Sequence, residues 1–243
     1  MAALPSFHAY AMTVNQFMPL LCGLPIVCHP DPMDGEGLAK RVTQNNTTLL
    51  CSTPAMLDKL AREERIHPLM LQPLRLVISG GHKLTDNTRQ AFEQKFNKPI
   101  MEGYGTTETT PIASVNLPDA LDTRTWKVQL GGKKGTVGMP LPGTSFKIID
   151  PITQAEKNTG EAGVILIGGT QIMLGYVNPP QTQNSTQTQP TVMLDGRQWF
   201  ITEDIGYLDE DGFLTILGRD PQALSEPPTP PHNTPVDETT SGE

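Results

Sequence analysis

Residues 102–108 read Glu-Gly-Tyr-Gly-Thr-Thr-Glu, and each residue type there has a use around a phosphorylated ligand. Gly103 and Gly105 let the backbone come close to a ligand. Tyr104 offers a flat face on which a base can stack. Thr107 can donate its hydroxyl to a phosphate oxygen, and Glu108 is a hard oxygen ligand suited to Mg²⁺. The segment follows a short apolar run at Pro99-Ile100-Met101, which would put it at the carboxyl end of a parallel strand, where ligand crevices open. Taken by itself, a Gly/Thr-rich turn is more often a plain loop.

The elements that must position this turn alternate in period. An apolar helix is expected over Tyr10 to Cys22 and a short strand over Leu24 to Cys28, with a helix over residues 34–45 carrying Leu38 and Val42 on one face. Thr48 to Cys51 is strand-like. Thr53 then reads as an N-cap, with Pro54 opening a helix whose Leu57, Leu60 and Ala61 share a face. Leu74 to Ile78 is the next strand, ending in Ser79-Gly80-Gly81, and a polar helix follows from Thr85 to Asn97. This alternation predicts a parallel βαβ layer over residues 1–134, with its sheet covered on both faces.

From about Gly135 the pattern changes to short β-type runs at residues 144–150, 163–167, 199–202 and 213–217. Turn signals such as Asn158-Thr159-Gly160 and Asp211-Gly212 separate them. The fold class expected is therefore α/β, a partial parallel layer followed by a small antiparallel β subdomain over residues 135–220. Residues 178–191 are polar and low in complexity, which predicts a mobile loop. Residues 221–243 hold six prolines, four acids and no Lys or Arg, the composition of a disordered tail.

Composition excludes several classes of function. A net charge of −8 leaves no basic stripe to neutralise a nucleic acid. Three cysteines (Cys22, Cys28, Cys51) form no disulfide framework and no CxxC pair, and the five histidines show no HExxH spacing. Residues 9–28 carry no charge, but Asn15, Gln16, Pro19, Gly23 and Pro25 interrupt them and no basic flank precedes them. That argues against a transmembrane segment or a signal peptide. A cytoplasmic protein with reduced thiols is expected, with any membrane association made through a partner.

The YGTTE text of residues 104–108 resembles the YGxTE signature of the adenylate-forming (AMP-binding) superfamily, which includes acyl-CoA synthetases, luciferases and peptide-synthetase adenylation domains. Further elements occur in that family's order. Leu4-Pro5-Ser6-Phe7-His8 resembles its LPxFH element, and Ser79-Gly80-Gly81-His82-Lys83-Leu84 its SGGxxL loop. Gly160-Glu161-Ala162-Gly163 through Gly175-Tyr176 resembles GExG…GY. Trp199 to Asp204, with Asp211-Gly212 and Gly218-Arg219, resembles YxTGDxG…DGxxxxxGR. His29-Pro30-Asp31-Pro32 and EGYGTTE are similar in flavour to bacterial acyl-ACP synthetases paired with lysophospholipid acyltransferases (acylglycerophosphoethanolamine acyltransferase).

The resemblance implies a two-step reaction. A carboxylate, here a fatty acid, attacks the α-phosphate of ATP to give an acyl-adenylate, and a thiol of CoA or acyl carrier protein then takes the acyl group. Carried over by position, Gly80, Gly81, His82, Glu102 and Tyr104 would frame the adenine. Thr107 would contact the α-phosphate and Glu108 the Mg²⁺. Asp204 would accept from the ribose hydroxyls, as an acceptor-only carboxylate can, with Arg219 supporting the same ribose, and His8 would steer the acyl carboxylate. Plainer readings stand beside these: His8 as a ring in a loop, Asp204 as a turn residue, Arg219 as a surface charge, Gly80-Gly81 as a strand terminator, Lys83 as a solvated side chain.

Two departures bear on activity. The family's Gly/Ser/Thr-rich phosphate loop lies upstream of LPxFH, and its C-terminal domain with a catalytic lysine follows the GR pair; neither has a counterpart in these residues. Glu203 stands where the family usually has Gly. The expectation is thus a ligase segment truncated at both ends, with little autonomous activity or completed by a complementary chain. The alternatives are a non-catalytic nucleotide or acyl-adenylate binding module, or a structural remnant.

Overall fold

In the computed structural model, residues 1–177 and 191–219 are described. The expected mobile loop at 178–191, except Thr191, and the expected tail from Pro221 fall outside them. The chain enters through a helical segment made of an α turn at Ala9–Ala11, a π-helical stretch at Met12–Phe17 and a second α turn at Met18–Leu21, together called α1. His8 caps its start, Nδ1 accepting from the Tyr10 amide at 3.1 Å. Helix α2 spans Gly35–Gln44, capped by Asp34, whose carboxylate accepts from the Gly37 amide. Helix α3 spans Pro54–Arg62, with proline at its first turn. Thr53 holds the N-cap position, as its place before Pro54 predicts, but its side chain makes no capping hydrogen bond. Helix α4 spans Asp86–Phe96, capped by the Thr85 hydroxyl and ended by Asn97 in the left-handed conformation, a known exit for a helix.

Three parallel strands, β1 (Leu49–Ser52), β2 (Leu76–Ser79) and β3 (Ile100–Tyr104), lie side by side in that order. Two short antiparallel strands, β4 (Ser114–Val115) and β7 (Met139–Pro140), extend the sheet beyond β3. Side chains alternate across a strand, and here the alternation divides two environments. Leu50 and Val77 are buried in one cluster with Leu38, Leu57, Leu60 and Phe92 from the helices. Leu49, Cys51, Leu76 and Ile78, on the other face, line a cavity along with Tyr10, Val14 and Met18 of α1. The sheet is therefore packed by α2, α3 and α4 on one face and covered by α1 on the other, as expected, with the cavity between α1 and the strands.

One expectation changes. Leu24 to Cys28 forms no strand: the stretch is extended, but its sole ladder contact is an isolated bridge from Cys28 to Ala2. Pro25 has no amide hydrogen to give a ladder, and the Leu24 amide is taken by the Pro19 carbonyl at 2.8 Å.

The later residues form an antiparallel sheet in the order β10 (Thr191–Leu194), β11 (Arg197–Leu208), β9 (Gly163–Gly169), β8 (Thr144–Ile149), with β12 (Leu214–Arg219) pairing the second half of β11, from Asp204 to Leu208, beyond the stretch that β10 pairs. Strand β9 is nearly all apolar and buried, as a central strand should be. Between the two sheets a hairpin of β5 (Ala120–Asp122) and β6 (Lys127–Gln129) stands apart. Among the described residues no helix is long and apolar enough to cross a membrane.

Candidate functional site

Strand β3 delivers Tyr104 to the end of the parallel sheet, and the chain must then turn sharply. It does so at Gly105, where an added Cβ would lie 1.8 Å from the Pro111 carbonyl oxygen, so no other residue fits without moving the backbone. A single 3₁₀ turn at Thr107–Thr109 follows, tied by the Thr109 hydroxyl, which donates to the Thr106 carbonyl and accepts from the Thr106 amide, both at 3.0 Å. Thr107 and Glu108 are thereby held beside Tyr104.

The opposite wall comes from β11. Its ladder with β9 is interrupted between Ile201 and Ile205, where Glu203 adopts φ +61°. Bulges re-aim side chains, and this one is pinned: the Thr202 hydroxyl donates to the Ile165 carbonyl at 2.8 Å and accepts from the Asp204 amide at 3.1 Å. Asp204 consequently meets the Tyr104 hydroxyl at 2.5 Å, joining residues a hundred apart in sequence. Arg219 is paired with Asp204 across the β11–β12 ladder, and its guanidinium reaches Glu203 at 3.5 Å. That contact is solvent-exposed and adds little to stability.

The cleft between these walls has a volume of about 720 Å³, within the range of small-molecule sites. His8, Gly80, Gly81, Tyr104, Thr107, Glu108 and Arg219 all line it, and Asp204 reaches it through Tyr104. His82 is exposed and does not line the cavity. Neither does Glu102, whose carboxylate pairs with the buried Arg89, which also donates to the Ile100 carbonyl at 2.9 Å and bonds Glu93. Burial raises the Glu102 carboxyl above its ordinary value, with Arg89 opposing. Lys83 is exposed.

Electrostatics differ between the two acids of the site. Burial raises Asp204, against the pull of the Tyr104 hydroxyl and Arg219. Burial also pushes at Glu108, but the Tyr176 hydroxyl and a backbone amide outweigh it and hold that carboxyl below its ordinary value. Burial and the neighbouring carboxylate lift the Tyr104 phenol far up, so it remains a donor.

Two participants were not assigned by sequence reasoning. Tyr176 donates to Glu108 Oε1 at 2.6 Å, and the same segment is fastened by the Met173 amide on the Glu108 carbonyl at 2.9 Å and the Thr110 hydroxyl on the Gln171 carbonyl at 2.6 Å. The GY pair at Gly175-Tyr176 was the available signal. Tyr10 lines the cavity with its hydroxyl buried and unpartnered, against Gly80, where an added Cβ would sit 3.1 Å from its ring; its position two residues after His8 was the clue.

Residues 1–177 match the model of a family described as AMP-binding enzyme, and the chain belongs to that family. A long-chain-fatty-acid–CoA ligase of Salmonella typhimurium is 30% identical over 217 residues, 89% of this chain and 35% of the relative. A 4-coumarate–CoA ligase 3 of Oryza sativa subsp. japonica is 31% identical over 89% of this chain and 37% of its own length. Among solved structures, apo MatB from Rhodopseudomonas palustris superposes with a TM-score of 0.72 at 27% identity, covering 90% of this chain and 39% of that one. The chain thus spans a little over a third of the relatives it matches.

Proposed function

We propose that the chain is the adenylate-holding part of an AMP-forming acyl-acid ligase. The observation that carries this reading is the closure of Tyr104 onto Asp204 at 2.5 Å, over a cavity that has Thr107 and Glu108 at its rim and an apolar floor of Leu49, Leu76 and Ile78. A nucleotide and an apolar acid could share such a space: polar groups converge at one end and the sheet face is greasy at the other.

In this reading the base of ATP lies against the Tyr104 ring and the Gly80-Gly81 turn, with His82 and Glu102 behind that turn. Asp204 accepts from the ribose hydroxyls with Arg219 beside it, and Thr107 donates to the α-phosphate. His8, whose Nδ1 is committed to the Tyr10 amide, keeps Nε2 for the carboxylate of the acid. The carboxylate oxygen attacks the α-phosphorus, the bond to the bridging oxygen breaks, and pyrophosphate departs. A thiol of CoA or of a carrier protein then displaces AMP.

Mg²⁺ fits Glu108 in one respect. Among the described residues no three His, Cys, Asp or Glu side chains form a metal cage, and Mg²⁺ ordinarily takes one or two carboxylates with substrate phosphates and water. Glu108 would hold it; bound there, the metal would neutralise charge on the phosphates.

Arg219 is the one permanently charged cation among the cavity-lining residues described, and charge growing on the phosphates in the transition state needs preorganised donors. The chain alone is therefore expected to bind nucleotide better than it turns it over, and a further polypeptide supplying cations would raise turnover. Calorimetric titration with AMP and ATP, alongside ATP–pyrophosphate exchange with fatty acids, tests both halves. AMP binding that Asp204→Asn weakens supports the reading. Absence of nucleotide binding to the folded chain removes it. Binding with no exchange even after such a polypeptide is added favours a binding module.

A further inference from the structure

The β5–β6 hairpin belongs to none of the three hydrophobic clusters among the described residues. In register, Leu121 faces Val128 on one side of the ribbon, while Ala120, Asp122, Lys127 and Gln129 occupy the other. The apolar side has no cover: Leu121 is 52% exposed, Val128 62% and Trp126, in the turn, 73%. A lone two-stranded hairpin is marginal in water, yet this one is well built. Asp122 accepts from the Arg124 amide at 2.8 Å and the Thr125 hydroxyl at 2.9 Å, and the Trp126 amide donates to the Asp122 carbonyl at 2.7 Å. Asp119 accepts from the Gly131 amide at 2.9 Å and ties the base. Both acids of the hairpin are thus turned onto its own groups, and Trp126 is held outward at φ +57°, a conformation unfavourable for a bulky residue.

Charge gives this surface a direction. Residues 123–134 contain Arg124, Lys127, Lys133 and Lys134 and no acid, in a chain of net charge −8. Lys133 is spent on Asp209 and Asp211; Arg124 reaches Asp122 at 3.6 Å in an exposed contact of little strength, so Arg124 and Lys127 flank Trp126 in sequence and Lys134 lies nearer the base. An exposed tryptophan with aliphatic neighbours and flanking cations is the composition that settles at a lipid–water boundary: the ring is amphipathic and long cationic stems reach the headgroups. At the hairpin's base, Leu117, which bonds the Gly131 carbonyl through its amide at 2.8 Å, also lines the cavity.

We propose that the β5–β6 hairpin docks the protein on the surface of an anionic phospholipid bilayer, turning the Leu117 side of the cavity toward the lipid. The docking stands independently of the reaction; only the corollary, that an apolar acid reaches the cavity from the bilayer, rests on the proposed function.

The test uses the 243-residue chain and two vesicle preparations, phosphatidylcholine alone and phosphatidylcholine with phosphatidylserine. Trp126 reports directly, because Trp199 is buried in the second sheet. Expected are co-sedimentation with the phosphatidylserine vesicles, a blue shift of tryptophan emission that Trp126→Ala abolishes, and a loss of about fivefold in partitioning for each of Arg124→Gln and Lys127→Gln. All three positions are exposed, so circular dichroism should match the parent. The proposal is overturned if the chain ignores phosphatidylserine vesicles at low salt, or if binding survives all three substitutions. It is equally overturned if light scattering finds self-association that Trp126→Ala removes with no vesicle binding, which would give the face to a second copy.

Discussion

Strands β1 and β2 present the same backbone to two different surroundings. Leu50 and Val77 point into a filled space among three helices, while Leu49, Cys51, Leu76 and Ile78 point into an open one. A one-residue step along either strand crosses from scaffold to site. Stability and ligand binding are therefore assigned to alternate residues of the same four-residue strands, and substitutions on the two faces should fail in different ways.

The largest effect is expected on the filled face. Phe92, fully buried on α4, should cost about 3–5 kcal/mol as Phe92→Ala, seen as a lower urea midpoint with an unchanged slope. At adjacent positions, Val77→Phe should destabilise by about 1–3 kcal/mol from overpacking. Ile78→Phe should leave the urea midpoint nearly in place and reduce the volume open to an apolar acid. Equal losses of stability from both would erase the distinction between faces.

Asp204→Asn comes next. Loss of a charged acceptor should weaken AMP by about 1.5–3 kcal/mol in calorimetry, with little change in unfolding. A weaker effect is expected of pH, and it has opposite signs at the two acids. Asp204 is raised from its ordinary 3.8. The folded chain thus holds a proton that the unfolded chain has released, and this group adds stability as pH falls through that window. Glu108 is lowered from 4.5. Its contribution is present above 4.5 and is lost as pH falls through the depressed folded value. On acidification AMP binding should decline while Glu108 is still ionised, which chemical-shift titration of the two carboxyls would resolve. Smallest of all, Glu203→Gly should stabilise by about 0.5–1 kcal/mol, the left-handed penalty it relieves being partly offset by the entropy glycine adds to the unfolded chain.

Much of this was legible in the residues. Tyr104, Thr107 and Glu108 were marked by a turn that needs glycine, and the structure supplies the reason at Gly105. Asp204 was marked by its surrounding pattern, and the β11 bulge carries it to Tyr104. The bounds of α2 and α4 were legible to within a residue, and the start of α3 followed from Thr53 and Pro54. What failed did so because long-range partners decide it. An apolar run such as Leu24 to Cys28 becomes a strand only where a neighbour can use its hydrogen bonds. The β5–β6 hairpin lacks the Asn-Gly or Asp-Gly turn that advertises such a ribbon. Arg89 gave no local sign that it would claim Glu102, and nothing near Glu108 in sequence announces a phenol arriving from Tyr176.

That phenol has a thermodynamic consequence. An occupant that needs the lone pair of Glu108 Oε1 on which the Tyr176 hydroxyl sits must evict that phenol, so its measured dissociation constant is the intrinsic one divided by the fraction of molecules already unlatched. The lowered pKa of Glu108 and the Tyr176 hydroxyl, pushed up to about 12, are two records of the same embrace. The rim rests with its acid already spoken for, and entry there is an exchange of partners.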